Sequence, residues 1–348
     1  MTGILKSHLS PMKIKNSFAI MNLFFLILIA GCTSVSTGKN QEIDVHTGYQ
    51  GLVMEFVKNT PPPKVFEQQE FPVYLKIMNS GAYSIKDTKA YINLGVEKDY
   101  TSKVTLLESS AIQKSEGANA AAFTLKGKTN VNPNGDEEVI SYNVIAGSID
   151  PQSEAHPSAV TAALCYPYQS ELSSTICIDS DISNLRPEKK VCQVKDLVTS
   201  GGQGAPVAVT KVEISMLPAS AGKDNIQKII PQFLIYVENV GKGLVIRNEA
   251  VSNFCTKSET SHEDLNVVYV DAQLSGENLN CQIGTKEKIP GHIKLNDKKD
   301  IVRCTLDKGI TSSQNAYLSP LKITLTYGYT QTIAANYFIQ KLVQDRSH

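Results

Sequence analysis

Thiols are the most reactive side chains in this chain, and the seven cysteines divide into one and six. Cys32 stands alone near the N-terminus, after the small residues Ala30 and Gly31. A thiol there is a nucleophile that can be alkylated, and small neighbours let an extended backbone enter a peptidase. The other six are Cys165, Cys177, Cys192, Cys255, Cys281 and Cys304. Their even number suits disulfides in an oxidising compartment, and no Cys-x-x-Cys spacing points to zinc. Parity suggests partners. Cys165 and Cys177 are both out of phase with their apolar neighbours, so on adjacent strands of a hairpin they would share a face and could bridge. Cys281, in phase with Leu279 and Ile283, and Cys304, in phase with Val302 and Leu306, both look inward and could bridge. Cys192 and Cys255 would then staple the two halves of the chain. A competing scheme joins Cys177 to Cys192 and leaves Cys165 and Cys255 otherwise engaged.

Other chemistry is thin. His46, His156, His262 and His292 have no His-x-His or His-Glu-x-x-His spacing, and read as surface or loop residues. Asp179, Ser180, Asp181 and Asn184 gather oxygens that could hold Ca²⁺, without the glycine and distal glutamate of an EF-hand loop. Tyr166, Tyr168, Tyr327 and Tyr329 alternate on one strand face; they share phase with Leu164 and Leu325 and read as packing residues, with a sugar-stacking platform as the other reading. Glu108 and Glu116 have no visible partner for acid–base work, and Asp136-Glu137-Glu138 reads as a solvated turn. No catalytic signature and no cofactor motif occurs.

The segment carrying Cys32 begins with Lys13 and Lys15, followed by an apolar run from Phe18 to Ala30 broken by Asn22. A spanning helix needs about 20 apolar residues, so this shorter run reads as the apolar region of a signal peptide. Ile29-Ala30-Gly31-Cys32 resembles the lipobox of secreted lipoproteins. The resemblance implies cleavage after Gly31 and lipidation of Cys32; a plain signal peptide or an uncleaved anchor is the alternative. Met12 gives a more compact start than Met1. The expected organisation is therefore a signal peptide over 1–31, with Met12 as the alternative true start, and a lipidated tether over 32–49.

Composition supports a folded body behind the tether. The 348 residues suit two domains, and 41% apolar with 20% charged residues suits a packed core. A net charge of zero excludes nucleic-acid binding through a global basic field. An internal repeat sets the architecture. Phe71 to Gly81 matches Pro231 to Gly241, both alternating with period two and ending in Asn-x-Gly, a turn signal that supplies positive φ. Leu164-Cys165-Tyr166-Pro167-Tyr168 matches Leu325-Thr326-Tyr327-Gly328-Tyr329. A weaker match sets Leu52 to Phe56 against Lys211 to Met216. Ser200 to Pro206 is glycine-rich but leads into a β-branched run, so it reads as linker rather than phosphate loop.

Strands are expected at 51–58, 71–79, 88–95, 121–128, 137–146, 158–168 and 174–179, then at 207–216, 231–239, 246–255, 265–275, 291–296, 299–306, 319–329 and 333–342. A short helix is expected over 104–114 and a hairpin turn at Asn132-Pro133-Asn134-Gly135. The fold class is all-β: two tandem antiparallel immunoglobulin-like β-sandwiches, at 50–190 and 207–343, joined by a linker at 191–206.

The strands at 71–79 and 231–239, with their Asn-x-Gly turns, resemble the cell-adhesion-related (CARDB-like) domain of bacterial and archaeal surface proteins. The region 50–343 is similar to tandem-domain envelope proteins of small-genome archaea, through 164–168 and 204–210. These resemblances imply a location and no activity. The functional expectation is a membrane-anchored surface lipoprotein, not an enzyme, with a structural, adhesive or protein-interaction role. Its partners would be the membrane, through the lipid, and a protein or envelope polymer. The second expectation is an extracytoplasmic lipoprotein that binds a sugar or peptide.

Overall fold

The computed structural model describes residues 44–117, 119–187, 189–219, 228–257, 261–282, 291–311 and 315–342. Cys32, the signal segment and most of the tether lie outside the described residues. The strands are β1 (Leu52–Phe56), β2 (Lys64–Phe66), β3 (Glu70–Asn79), β4 (Ile85–Val96), β5 (Thr101–Leu107), β6 (Ile112–Lys114), β7 (Ala120–Leu125), β8 (Glu137–Ala146), β9 (Ala155–Ile178), β10 (Leu197–Val198), β11 (Val207–Pro218), β12 (Lys228–Asn239), β13 (Leu244–Ile246), β14 (Val267–Leu274), β15 (Glu277–Asn278), β16 (Asn280–Gln282), β17 (His292–Lys294), β18 (Lys299–Thr305), β19 (Ile310–Thr311) and β20 (Tyr317–Gln340). Among the described residues one α-helix, α1 (Val251–Thr256), follows a 3-10 turn at Asn248–Ala250.

Three sheets result: β1-β3-β8-β5, β10-β11-β12-β18-β16, and a large sheet ordered β15-β14-β20-β9-β4-β7-β6. Alternation drives them. Phe71, Val73, Leu75 and Ile77 of β3, and Phe233, Ile235 and Val237 of β12, are all buried. They meet the inner face of the large sheet, where Val160 to Tyr168 and Leu321 to Tyr329 turn alternate side chains into one contiguous core. The chain is thus all-β, two antiparallel sandwiches, and the sandwiches share a sheet. A single compact unit spans Ile43–His348.

The shared element is the pairing of β9 with β20 over their full lengths. Its register places Pro167 opposite Gly328, Tyr166 opposite Tyr329 and Tyr168 opposite Tyr327. Pro167 and Gly328 are also repeat equivalents, so a local two-fold axis passes through this pair. Each long strand begins in its own half and continues into the other: β4 pairs with Val160–Cys165, β14 with Leu321–Thr326, and β2, from the first half, with Phe338–Gln340 of the second.

This corrects the hairpins expected at 158–168/174–179 and 319–329/333–342. Each is one strand of 24 residues. The segments between, Gln169–Ser173 and Thr330–Thr332, are polar apart from Leu172, but none of their residues demands a turn; they pair across the axis instead. Three further expectations change. Residues 104–114 form β5 and β6 rather than a helix. Residues 246–255 leave the sheet at the 3-10 turn and enter α1, whose Val251 and Cys255 pack with Ile246 and Cys165. The Asn132–Gly135 turn joins β7 to β8, which belong to different sheets, so it is a crossover rather than a hairpin. The third sequence match is also displaced. Leu52 lies opposite Asn79 and Val207 opposite Asn239, so β1 corresponds to 207–212 with a bulge at Thr210.

The Asn-x-Gly signals have a different physical cause from the one expected. Neither Gly81 nor Gly241 is among the positive-φ residues. Asn79 is fully buried and acts as a clasp. Its amide nitrogen donates to Tyr83 O (2.8 Å) and Leu125 O (3.2 Å), and its oxygen accepts from Gly81 N (3.2 Å) and the Tyr168 hydroxyl (2.9 Å). Asn239 repeats the pattern with Gly243 O (2.9 Å), Gly241 N (3.1 Å) and the Tyr329 hydroxyl (3.3 Å). A Cβ on Gly81 would collide with the Tyr168 hydroxyl and the carbonyls of Gly204 and Gln50, and one on Gly241 with the Tyr329 hydroxyl. Glycine is required by close approach.

Tyr168→Phe therefore strips a donor from a buried amide and is expected to cost about 1–3 kcal/mol. Gly81→Ala is expected to cost more than Gly201→Ala, although Gly201 has φ +87° with no atom near its Cβ position. Denaturant unfolding of the three variants checks this, and equal losses for the two glycines would contradict the close-approach account.

Candidate functional site

The six later cysteines form three disulfides: Cys165–Cys255, Cys177–Cys192 and Cys281–Cys304. Cys281 and Cys304 face each other across β16 and β18. The expected Cys165–Cys177 and Cys192–Cys255 bridges are corrected. Cys165 and Cys177 lie on the same continuous strand, about 40 Å apart at the rise of a β-strand, so no bridge can join them. Instead Cys165, on the outer face of the large sheet, reaches Cys255 of α1 and ties the first half to the second.

The Cys177–Cys192 bridge closes the loop that carries Asp179, Ser180, Asp181 and Asn184. Its oxygens hold a side-chain cation. Lys190 Nζ donates to Asp179 Oδ2 (2.6 Å), Asp181 O (2.7 Å) and Asn184 Oδ1 (2.6 Å). The ammonium group takes the place that a calcium reading assigned to a metal. Asp181 Oδ1 and Oδ2 accept from the backbone N–H groups of Leu185 (3.0 Å) and Arg186 (3.1 Å). Those bonds, chiefly the one from Leu185, with the charges of Lys190 and Arg186 behind them, hold its carboxyl below the usual range.

The four tyrosines are core residues. Tyr166, Tyr168, Tyr327 and Tyr329 are each at most 2% exposed, so they offer no platform for a sugar ring. Burial pushes their hydroxyls upward from the ordinary tyrosine value. They stack edge-on or tilted across the axis, with Tyr166 and Tyr329 5.7 Å apart between ring centres.

The histidines remain dispersed. His156 stacks on Tyr100 at 3.6 Å and points Nε2 at Glu97 Oε2, 3.3 Å away. Ser158 Oγ lies within hydrogen-bond distance of that same carboxylate oxygen (3.0 Å) and of the Tyr337 hydroxyl (3.2 Å). His292 lies beside Tyr269, and His262 offers its carbonyl to Lys294. Among the described residues no group of three or more His, Cys, Asp or Glu side chains could hold a metal ion. Glu137 pairs with Lys76 (2.8 Å), and Glu116 lies 3.9 Å from Lys257.

Residues 191–206 are built into the fold. Cys192 is bridged, β10 pairs with β11, and Gly48 and Gly202 form a parallel bridge. Gln203, buried at 3% exposure, bonds both backbone groups of Val209: it accepts from the N–H (2.8 Å) and donates to the carbonyl (3.1 Å). Sequence reasoning saw a glycine-rich linker here and missed this edge cover. The one legible signal was a glutamine, able to imitate a peptide group, before a β-branched run.

No family model and no curated protein matches the chain. Solved structures align at low similarity. A Clostridium thermocellum type I cohesin–dockerin complex gives 13% identity and a TM-score of 0.22, over 34% of this chain and 83% of that one. The human F-spondin reeler domain gives 10% and 0.20, over 38% and 85%. The S. aureus collagen adhesin gives 10% and 0.19, over 85% and 94%. At such scores none bears on how this chain works.

Acidification tests the lysine-filled loop. The folded carboxyl of Asp181 is held below its unfolded value, so its stabilisation is complete above the unfolded pKa, near 4, and is lost as pH falls through the lower folded value. The protection factors of the Leu185 and Arg186 amides, taken against the intrinsic exchange rate at each pH, are expected to fall at acid pH before those of the core. Asp181→Asn should abolish that step; an unchanged acid response in the variant would contradict the assignment.

Proposed function

We propose that this chain is a membrane-anchored surface lipoprotein with a structural, adhesive or protein-binding role. The observation that carries the reading is the employment of its polar groups. Asn79, Asn239, Gln203, Asp181 and Lys190 each complete the scaffold. Three disulfides suit an oxidising, extracytoplasmic setting. Ile29-Ala30-Gly31-Cys32 would supply the anchor, with the signal segment removed and the residues up to 49 as tether. The halves at 50–190 and 207–343 would then stand at the membrane surface as one interlocked body, presenting sheet edges and loops to a protein or envelope polymer. Buried tyrosines remove the observation that favoured a sugar-binding role.

Cys32→Ala is the test of the anchor. The wild-type chain is expected in the detergent phase with an added lipid mass on the N-terminal cysteine, and the variant in the aqueous phase. A variant that still partitions with detergent would overturn the lipoprotein reading.

A further inference from the structure

The two halves are related by the axis through Pro167 and Gly328, and they differ beside it. On β11, the hydrogen bond from Val240 N to Pro206 O (2.9 Å) fixes the ladder phase, so Val207 and Val209 turn their backbone groups away from β12. That outward edge is covered. Ser170 Oγ donates to Val207 O, Thr199 Oγ1 donates to Val209 O (2.5 Å), and Gln203 bonds Val209 on both sides.

The same edge in the first half is β1. The bonds from Ser80 N to Gly51 O (3.0 Å) and from Val57 N to Tyr74 O (2.9 Å) set an equivalent phase, so Leu52, Met54 and Phe56 face away from β3. Leu52 O accepts from Gln331 Nε2 (2.8 Å), and Gln331 is the repeat counterpart of Ser170. Met54 is the counterpart of Val209, since Met54 lies opposite Ile77 and Val209 opposite Val237. Nothing takes the place of Gln203 or Thr199: among the described residues, the outward N–H and C=O of Met54 and Phe56 have no partner. β1 is the outer strand of its sheet. In the corresponding space lies a groove of about 300 Å³, lined by Leu52, Met54, Tyr166, Lys242, Tyr329 and Gln331 among others.

We propose that this groove docks an extended segment of a partner protein, which adds a strand to β1 through Met54 and Phe56 as 199–203 cover β11 within the chain. The filled side states the chemistry of the occupant: extended backbone, glycines where the chain passes close, and a carboxamide side chain for Met54. It also locates a charge. Gly204 O accepts from Ala82 N (2.9 Å), and the counterpart of Ala82 is the exposed Lys242. An occupant ending or bearing a carboxylate at that point meets a cation. The proposal rests on the protein-binding part of the function above and is independent of the lipid anchor.

The probe is a synthetic peptide of residues Asp196–Gly204 with a free C-terminal carboxylate, added to the full chain in detergent. Residue-resolved amide exchange is the readout. In the chain alone, Met54 and Phe56 should exchange at least about tenfold faster than Val53, Glu55 and Val209. The peptide should slow Met54 and Phe56 and leave Val209 unchanged. Replacing its glutamine by alanine, or amidating its C-terminus, should weaken binding. The exposed substitution Lys242→Glu should weaken the carboxylate peptide by about fivefold without changing Tm. The proposal is overturned by any of three results: a Met54 amide as protected as Val209 in the monomeric chain, protection that rises with protein concentration and so marks a second copy as occupant, or peptide that fails to slow Met54. A Cys32→Ala chain that loses the membrane but keeps the peptide response would leave this site standing.

Discussion

The hydrogen bond from Tyr168 to the buried Asn79, with its counterpart from Tyr329 to Asn239, is the constraint on which the rest of the fold turns. A carboxamide inside an apolar core is tolerable only when both its ends are satisfied. Here the nitrogen end ties the turn after β3 to Tyr83 and Leu125, and the oxygen end takes the tyrosine at the axis. The turn is thereby pinned against the centre of the large sheet, close enough that residue 81 has no room for a side chain. Because Tyr168 sits one residue from the axis, fixing it also fixes the register in which β9 meets β20. A slip of one residue there would turn the buried side chains of the slipped strand outward.

Interlocking follows from that register. The C-terminal part of β20 lies under the first sandwich, where Tyr337 packs on Phe71 at 5.2 Å between ring centres, and the C-terminal part of β9 runs under the second, where Ser170 bonds Val207. Neither half owns a complete large sheet. The disulfides reinforce different things. Cys281–Cys304 joins neighbouring strands and Cys177–Cys192 closes a local loop, whereas Cys165–Cys255 spans 90 residues and links the halves outside the core. The longest loop loses the most freedom in the unfolded chain, about 4–5 kcal/mol by loop entropy alone if the bridge is unstrained. An extracytoplasmic scaffold under mechanical or proteolytic load gains most from this third bridge.

Much of this was legible in sequence because symmetry wrote it twice. The alternation of Phe71 to Ile77 and of Phe233 to Val237, and the Leu-x-Tyr-x-Tyr motif, located the core strands and the repeat. What the residues did not reveal was pairing between halves. Ser and Thr at 170–175 and 330–332 look like a turn when only local preference is weighed, yet a sheet partner on the other half keeps them extended. Asn-x-Gly was read through backbone conformation, whereas its glycine answers to packing against a tyrosine about 90 residues away. The error in cysteine pairing came from the false hairpin: once 155–178 is one strand, Cys165 must look to another element, and α1 was itself hidden in a segment read as strand. Lys190 as the cation in an acidic loop could have been suspected from charge alone, since a lysine follows the acidic pair within reach.

Where duplication makes two copies, requirements of folding act on both, and departures from symmetry show where they have relaxed. Tyr91 and Tyr269 occupy equivalent places against β9 and β20, but their spacing of 269 − 91 = 178 exceeds the 239 − 79 = 160 of the Asn-x-Gly turns. Between those two points the second half is 178 − 160 = 18 residues longer, and the extra stretch includes α1, which caps the axis on the outer face and supplies Cys255; by Cys165 and Thr326 the offset has returned to 326 − 165 = 161. The covered edge of β11 is a further departure. Both add closure: a helix over a sheet, and a glutamine on a strand edge. Among the described residues the first half has no such closure at β1, although the floor of the groove, with Gln331 in the place of Ser170, keeps the same bonding pattern to the strand. An open edge is a liability for a protein exposed at a surface, and the chain demonstrates in its own second half how little sequence suffices to close it. Among the described residues, a β1 edge left open beside the exposed Lys242 is a difference that folding does not require, which makes it the place where selection for binding can act.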